Sequence, residues 1–203
     1  VSIALYAFTK NHLSNSSRLF FLLVVSLACH FYPGRFYNYD DWTTPISYLK
    51  DGFAAVFRSH GPHVIPLFMA MHLAIYKVAG PYYDAFNIWS CALVAVNGLL
   101  VFLLLQDKLF SRNEKNIYSL AYVISALNAE SCQWSFASCA LLVCTFIFSG
   151  ILLYRKNKLA LSILSLLLAP LSFASGAVSF LFLLLERFWA NLPRRIYFIC
   201  IIT

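Results

Sequence analysis

AFNIWSCALVAVNGLLVFLLLQ, residues Ala85 to Gln106, carries no charged side chain. As an α-helix it measures about 33 Å, enough to cross a hydrocarbon core of roughly 30 Å. Outward from this run the rest of the chain reads the same way. Of 203 residues, 61% are apolar and 11% charged, less than half the roughly 25% charge of an ordinary soluble domain. Fifteen Lys+Arg against eight Asp+Glu give a net charge of +7. Too little polar surface exists to coat a water-soluble ball, which excludes a soluble globular domain and a disordered tail. The cations fall in short punctuations between apolar runs and form no basic face, so a nucleic-acid partner is excluded as well. This is the pattern of an integral membrane protein.

The apolar runs predict an all-α, polytopic transmembrane helical bundle of six spans plus the start of a seventh. A first span covers Leu19 to Tyr32. A polar, aromatic outer segment (33–84) follows and contains a short apolar helix, Pro66 to Ala79, closed by Gly80-Pro81. The long span Ala85–Gln106 comes next. A charged loop, Asp107–Asn116, leads to a shorter span, Ile117–Asn128, and after Glu130 another span reaches Tyr154. Leu159 to Trp189 would measure about 47 Å as one helix, too long for one crossing. Pro170 and Ser172-Phe173-Ala174-Ser175-Gly176 break it, so it reads as a helical hairpin with an outer turn. Ile196 to Thr203 is too short to cross. With Val1 at the start and this stub at the end, residues 1–203 read as a single transmembrane domain, the N-terminal part of a larger protein.

Lys and Arg concentrate on the cytoplasmic side of membranes. With the N-terminus cytoplasmic, the inner segments hold Lys10, Arg18, Lys108, Arg112, Lys115, Arg155, Lys156, Lys158, Arg187, Arg194 and Arg195; the outer ones hold Arg35, Lys50, Arg58 and Lys77. If Pro66–Ala79 crossed fully, every later loop would change sides. It is therefore expected to lie in or near the outer interface without crossing. The six cysteines form no CxxC pair and read as small buried hydrophobes. No cleavable signal peptide is apparent, and the first apolar stretch reads as a retained anchor.

The outer segment holds the polar chemistry. Asp40-Asp41-Trp42 precedes an amphipathic stretch (Ile46, Leu49, Phe53, Val56, Phe57) expected to lie along the membrane surface. The two carboxylates then stand at a helix N-terminus, where free N–H groups and the helix dipole favour the ionised form. Three readings are open. One is a solvated N-cap. Another is a metal site, with Asp40, Asp41, His60 and His63 supplying O and N ligands to a divalent cation such as Mg²⁺ or Mn²⁺, or to zinc. In the third, an Asp acts as general base toward an acceptor hydroxyl.

Tyr39-Asp40-Asp41-Trp42, the stretch His60 to Leu67 (HGPHVIPL), Tyr82 to Leu105 and Asn128-Ala129-Glu130-Ser131-Cys132-Gln133-Trp134, taken in this order, resemble the membrane-embedded GT-C glycosyltransferases. The likeness is to the polyprenol-phosphate-sugar-dependent enzymes related to protein mannosyltransferases. The resemblance implies a hexosyl or mannosyl transferase that takes its sugar from a lipid-linked donor and passes it to a glycan, lipid or protein acceptor at the outer face. It implies an acidic base in the first outer loop, Asp40 or Asp41, with Asp40 preferred. Arg58, His60 and His63 are the candidates to meet the charge growing on the leaving polyprenyl phosphate, ahead of Arg35 and Lys50. Glu130 and Trp42 are candidates to face the reaction cavity or substrate. Where family members often carry an Arg soon after the histidine, this chain has His63-Val64. A bacterial plasma membrane is expected in preference to the endoplasmic reticulum, although no residue decides between them.

The alternatives are a non-enzymatic polytopic protein, such as a transporter or assembly component, and a metal-dependent hydrolase. A transporter would place ionisable groups near the span middles, whereas here the acids cluster at one end. Among the other polar residues, Trp42, Trp134 and Tyr82-Tyr83 fit an interfacial aromatic belt. His72 and Lys77 are expected to snorkel to headgroups, His30 to be a satisfied bundle histidine, and Asn97 to make an interhelical hydrogen bond.

Overall fold

The computed structural model describes residues 14–31, 39–59, 64–80, 82–105, 109–125, 127–179 and 181. These residues form helices and turns with no strand among them. The α-helices are α1 (Asn15–His30), α2 (Tyr39–Asp51), α3 (Pro66–Ala79), α4 (Tyr83–Leu104), α5 (Arg112–Ile124), α6 (Leu127–Gln133), α7 (Ser138–Arg155) and α8 (Leu159–Ser172). Single 3-10 turns run over Gly52–Phe57, Ser135–Ala137 and Ala174–Val178. Two of the helices, α4 and α7, are long and apolar enough to cross a membrane. At 16, 13 and 14 residues, α1, α5 and α8 measure about 20–24 Å, short of the roughly 30 Å core.

Local chemistry sets these boundaries and moves several of the expected ones. Ser14 caps α1 by accepting from Ser17 N–H, so the first helix starts ahead of Leu19. Ser111 and Glu114 form a capping box, so Arg112 to Asn116 belong to α5 rather than to a charged loop; the charges open the helix. The expected span from Glu130 to Tyr154 is two helices, because the chain leaves α6 at Gln133, makes a 3-10 turn and starts again at Ser138. The bounds of α3 agree with the sequence reading. Pro66 occupies its first turn and Gly80, at φ 68°, closes it, a conformation that side chains other than glycine rarely adopt.

The break after α8 has a specific construction. Pro170 has no N–H to give to the carbonyl of Leu166. Ser179 Oγ donates to that carbonyl instead, at 3.1 Å. The chain turns through Phe173 in extended geometry, and the 3-10 turn folds back so tightly that a Cβ on Gly176 would lie 2.3 Å from the Ala169 carbonyl carbon. The turn expected at 172–176 is thus present; the returning limb of the hairpin lies outside the described residues.

Helix α4 is the hub, packing against α1, α5 and α7, while α7 pairs with α8. Arg18 near the start of α1 stacks on Phe102 near the end of α4, and Asn87 near the start of α4 donates to the carbonyl of His30 at the end of α1. The two are therefore antiparallel. Lys115 over Phe102, and Ser119 Oγ donating to Gly98 O at 2.6 Å, make α5 antiparallel to α4. Ser162 to Gly150 O and Ser165 to Phe146 O, both 2.8 Å, do the same for α8 on α7. Asn97 donates to Leu141 O and accepts from Thr145 Oγ1, at 2.9 and 2.8 Å, so the amide inside α4 is satisfied by α7 as expected.

These contacts need close approach. A Cβ on Gly98 would stand 2.5 Å from Val123 Cγ2, and one on Gly150 would stand 2.7 Å from Leu166 side-chain atoms. At Gly150 the obstacle is a side chain that can repack; at Gly176 it is backbone. Gly176→Ala should therefore cost more stability than Gly150→Ala, about 1–3 kcal/mol for the former. Thermal denaturation in detergent checks this, and equal or smaller loss at Gly176 would contradict it.

Candidate functional site

The end of α1 and the start of α4 lie together, so everything between them leaves from and returns to one end of the bundle. Helix α2 begins at Tyr39, which puts Asp40, Asp41 and Trp42 in its first turns. Their side chains, and that of Glu130 in α6, lie outside the described set, as do His60, His63 and Arg35 altogether. The four-residue metal site proposed from sequence therefore falls outside the described residues too.

Where the structure describes the segment, an aromatic cluster holds it. Tyr48 on α2 is buried and donates to Met69 O of α3 at 2.9 Å, with His72 Nδ1 3.4 Å away. His72 stacks on Phe86 of α4, ring centroids 4.2 Å apart and planes at 21°, and tilts against Phe68. Phe68 meets Phe136 edge-on at 5.3 Å, and Phe136 lies beside Trp134. One continuous stack of rings thus joins α2, α3, α4 and the turn after α6. His72 does not snorkel: at 4% exposure it is a core residue. It follows Phe68 by one turn, and that i, i+4 spacing was the available signal. Lys77, on the same helix, is exposed.

The amphipathic stretch divides differently from expectation. Val56, with Ala55, Thr44 and Tyr48, is buried on the α3 side, whereas Ile46, Leu49, Phe53 and Phe57 stay exposed. The segment therefore sits on the protein by one face and shows a second, apolar face outward. Helix α2 also touches the 3-10 turn Ser135–Ala137, bringing the Asp40-Asp41 helix and the end of the Glu130 segment to the same end. Arg58 is committed: its guanidinium forks onto Asp51, Nη1–Oδ2 2.6 Å and Nη2–Oδ1 2.9 Å. With Arg58 61% exposed, this pair adds little stability, but it occupies the fork proposed to receive donor phosphate. Lys50 is exposed near the end of α2.

Beneath the cluster lies a buried polar junction that the sequence reading took residue by residue. His30 bonds Val123 O through Nε2 at 2.7 Å, while its Nδ1 has no hydrogen-bond partner among the described residues. Asn87 donates to His30 O and Cys132 O, and Tyr83 donates to Gln133 O. Both α4 residues thereby tie α6 to the bundle end. No protein-family model, curated protein or solved structure matches the chain.

Burial pushes the Tyr48 hydroxyl above the usual phenol range, so it remains a donor where a free phenol has begun to ionise, above about pH 10. There the unfolded chain has lost a proton that the folded chain keeps, and stability falls as pH rises. Tyr48→Phe should remove this part of the alkaline loss while costing about 1 kcal/mol near neutrality. Hydrogen exchange of residues 39–57 against pH measures both. An alkaline profile unchanged by the substitution would contradict the assignment.

Proposed function

We propose that the chain is part of a multi-pass membrane glycosyltransferase of GT-C type, which moves a hexosyl or mannosyl group from a polyprenyl-phosphate donor to an acceptor at the outer face. The carrying observation is the segregation of chemistry to two ends. Arg18, Lys115 and Arg155 lie at the end where α4 finishes, with Arg112, Lys156 and Lys158 beside them in sequence. The Asp40-Asp41 helix, α3 and the turn after α6 gather at the opposite end. In a bilayer the cationic end belongs in the cytoplasm, which leaves the two aspartates outside, where a lipid-borne sugar is presented. Because α1 ends where α4 begins, α3 alone makes no net crossing, in keeping with an interfacial position.

Exposed apolar side chains support a lipid environment. Phe20 and Val24 on α1, Ile88 on α4, and Leu161, Leu164, Leu167 and Leu171 on α8 face outward, an arrangement suited to hydrocarbon rather than water. The exposed Leu49, Phe53 and Phe57 suit burial in the outer interface, with Lys50 and Arg58 reaching to headgroups. Asn97 is fully engaged between α4 and α7, which weighs against a polar transport path through that point.

In this reading Asp40 or Asp41 takes the proton from the acceptor hydroxyl as it attacks the sugar's anomeric carbon, and the polyprenyl phosphate departs. Phosphate charge would be met by His60 and His63, with Arg58 contributing once Asp51 releases it. The residues are compatible with a divalent cation without demanding one.

Removing a general base costs typically 10²–10⁴-fold. In the full-length protein, Asp40→Asn or Asp41→Asn should lower transfer of labelled sugar from a polyprenyl-phosphate donor by that much, with membrane insertion unchanged. Wild-type rates in both variants would overturn the base assignment. Asp51→Asn, which frees Arg58, should leave transfer intact or raise it.

A further inference from the structure

Two cations are buried over one aromatic ring at the end where α4 finishes. The Arg18 guanidinium carbon lies 3.6 Å from the Phe102 centroid, and Lys115 Nζ lies 4.5 Å from it. The two residues are 1% and 6% exposed. A guanidinium does not give up its proton in a protein, so burial cannot neutralise Arg18. Its hydrogen bonds go to neutral groups: Nε donates to Asn116 Oδ1 at 3.2 Å and Nη1 to Asn15 Oδ1 at 3.1 Å. Nη2 is buried as well and meets no acceptor among the described residues. Glu114, beside Lys115 in sequence, has a carboxylate oxygen on the Ser111 N–H at 2.7 Å. A buried charge is ordinarily paired with an opposite one, and two like charges over one ring repel each other. Arg112 precedes Asn116 by one turn on the same face of α5 and is exposed, which adds a third cation to this side of the helix.

We propose that Arg18, Lys115 and Arg112 form a binding site for an anionic phosphate group, carried by a lipid headgroup or by a soluble phosphate. A planar guanidinium presents parallel N–H groups that match two phosphate oxygens, and an ammonium adds a point charge beside them. The Nη1–Nη2 edge of Arg18 is one bond away from being such a fork. Nη2 has no acceptor, and Nη1 is held by the amide oxygen of Asn15, an exposed residue on the first turn of α1. A charged phosphate oxygen is a stronger acceptor than a neutral amide, so it displaces Asn15 Oδ1 and takes both N–H groups. Nε stays on Asn116 and the Phe102 ring stays against the guanidinium, which together keep the fork aimed. Entry is from the end of the bundle, past Asn15 and the equally exposed Ser14 and Ser17. Basic pockets between transmembrane helices hold anionic headgroups by the same chemistry. The site lies at the opposite end of the bundle from Asp40 and Asp41 and does not rest on the transferase reading.

The test uses the full-length protein, delipidated in a maltoside detergent that brings no phosphate of its own. Thermal unfolding and native mass spectrometry are followed as phosphatidylglycerol or inorganic phosphate is added, with sodium chloride at matched ionic strength as the reference. The expected result is a saturable rise in unfolding temperature beyond that in chloride. A rise with phosphatidylglycerol but not inorganic phosphate makes the ligand a lipid headgroup; a rise with both makes it a soluble phosphate group. Arg18→Lys keeps the charge and loses the fork, and should weaken binding about tenfold. Arg112→Gln, at an exposed position, should weaken it too, whereas Asn15→Ala removes the competing amide and should strengthen it. If Arg18→Lys does not fold, the other two variants decide, because they move affinity in opposite directions. No rise beyond chloride with either probe, or affinities unchanged in Arg112→Gln and Asn15→Ala, would overturn the proposal. Sugar transfer by the aspartate variants is read separately, so failure of either assignment leaves the other standing.

Discussion

The antiparallel contact of α1 with α4 governs the rest of the arrangement. Arg18 against Phe102 at one end and Asn87 on the His30 carbonyl at the other fix the two helices in direction and register. Once they are fixed, the segment joining them has to start and finish at the His30–Tyr83 end. α2, the 3-10 turn after it and α3 therefore build a cap on that end and do not thread through the bundle. The cap carries the adjacent aspartates, so the location of the candidate chemistry follows from a helix pairing far from it in sequence.

The cohesion between helices is made with hydroxyls and glycines as much as with large apolar side chains. Ser26, Ser119, Ser162 and Ser165 each donate to a main-chain carbonyl of the neighbouring helix. Two of those carbonyls belong to Gly98 and Gly150, where the missing Cβ lets the backbones approach. In lipid, apolar contact between helices gains little over contact with hydrocarbon, and small-residue packing with hydrogen bonds takes a larger share, each bond averaging about 0.6 kcal/mol. A set of such bonds along α4 and α7 orients the helices without a thick aliphatic core. It also explains why the outward face of α8 can be apolar along its length: Ser162 and Ser165 are turned inward to meet carbonyls of α7.

Much of this was legible in the residues, for reasons that differ by element. The bounds of α3 were readable because Pro66 and Gly80 act locally, through φ and a missing N–H, whatever packs nearby. The all-helical class followed from the length of the apolar runs, and Asn97 from the cost of burying an amide without a partner. The start of α5 was hidden because Arg112, Glu114 and Lys115 looked like a loop, although Ser111 and Glu114 stood at capping-box spacing. His72 was misplaced because a histidine on a short apolar helix has the same local pattern whether it reaches for headgroups or stacks on Phe86; only the tertiary contact separates them. The outward face of α2 was similarly undecidable, since amphipathicity names an apolar side but not what it meets.

The cations illustrate why a charge count and a structure carry different weight. Arg18 is buried, with Nε on Asn116 Oδ1 at 3.2 Å, Nη1 on Asn15 Oδ1 at 3.1 Å and its guanidinium carbon 3.6 Å from the Phe102 centroid. Lys115 stacks on the same ring at 4.5 Å, and Arg155 donates to Leu104 O, where the end of α4 presents its free carbonyls. These three are held by the fold and would sit at this end in any solvent. Among the described residues the exposed cations are Arg112, Lys156 and Lys158 at this end, and Lys50, Lys77 and Arg58 at the other. Arg58 is neutralised by Asp51, while Lys50 and Lys77 are exposed beside apolar surface on α2 and α3. The proposed orientation, with this end cytoplasmic, therefore rests on fewer charges than the raw count suggests. Because Arg18, Lys115 and Arg155 are tied to the last turns of α4, the proposed membrane setting would place that end near a polar boundary, and the contacts that set the bundle's register would also set its depth.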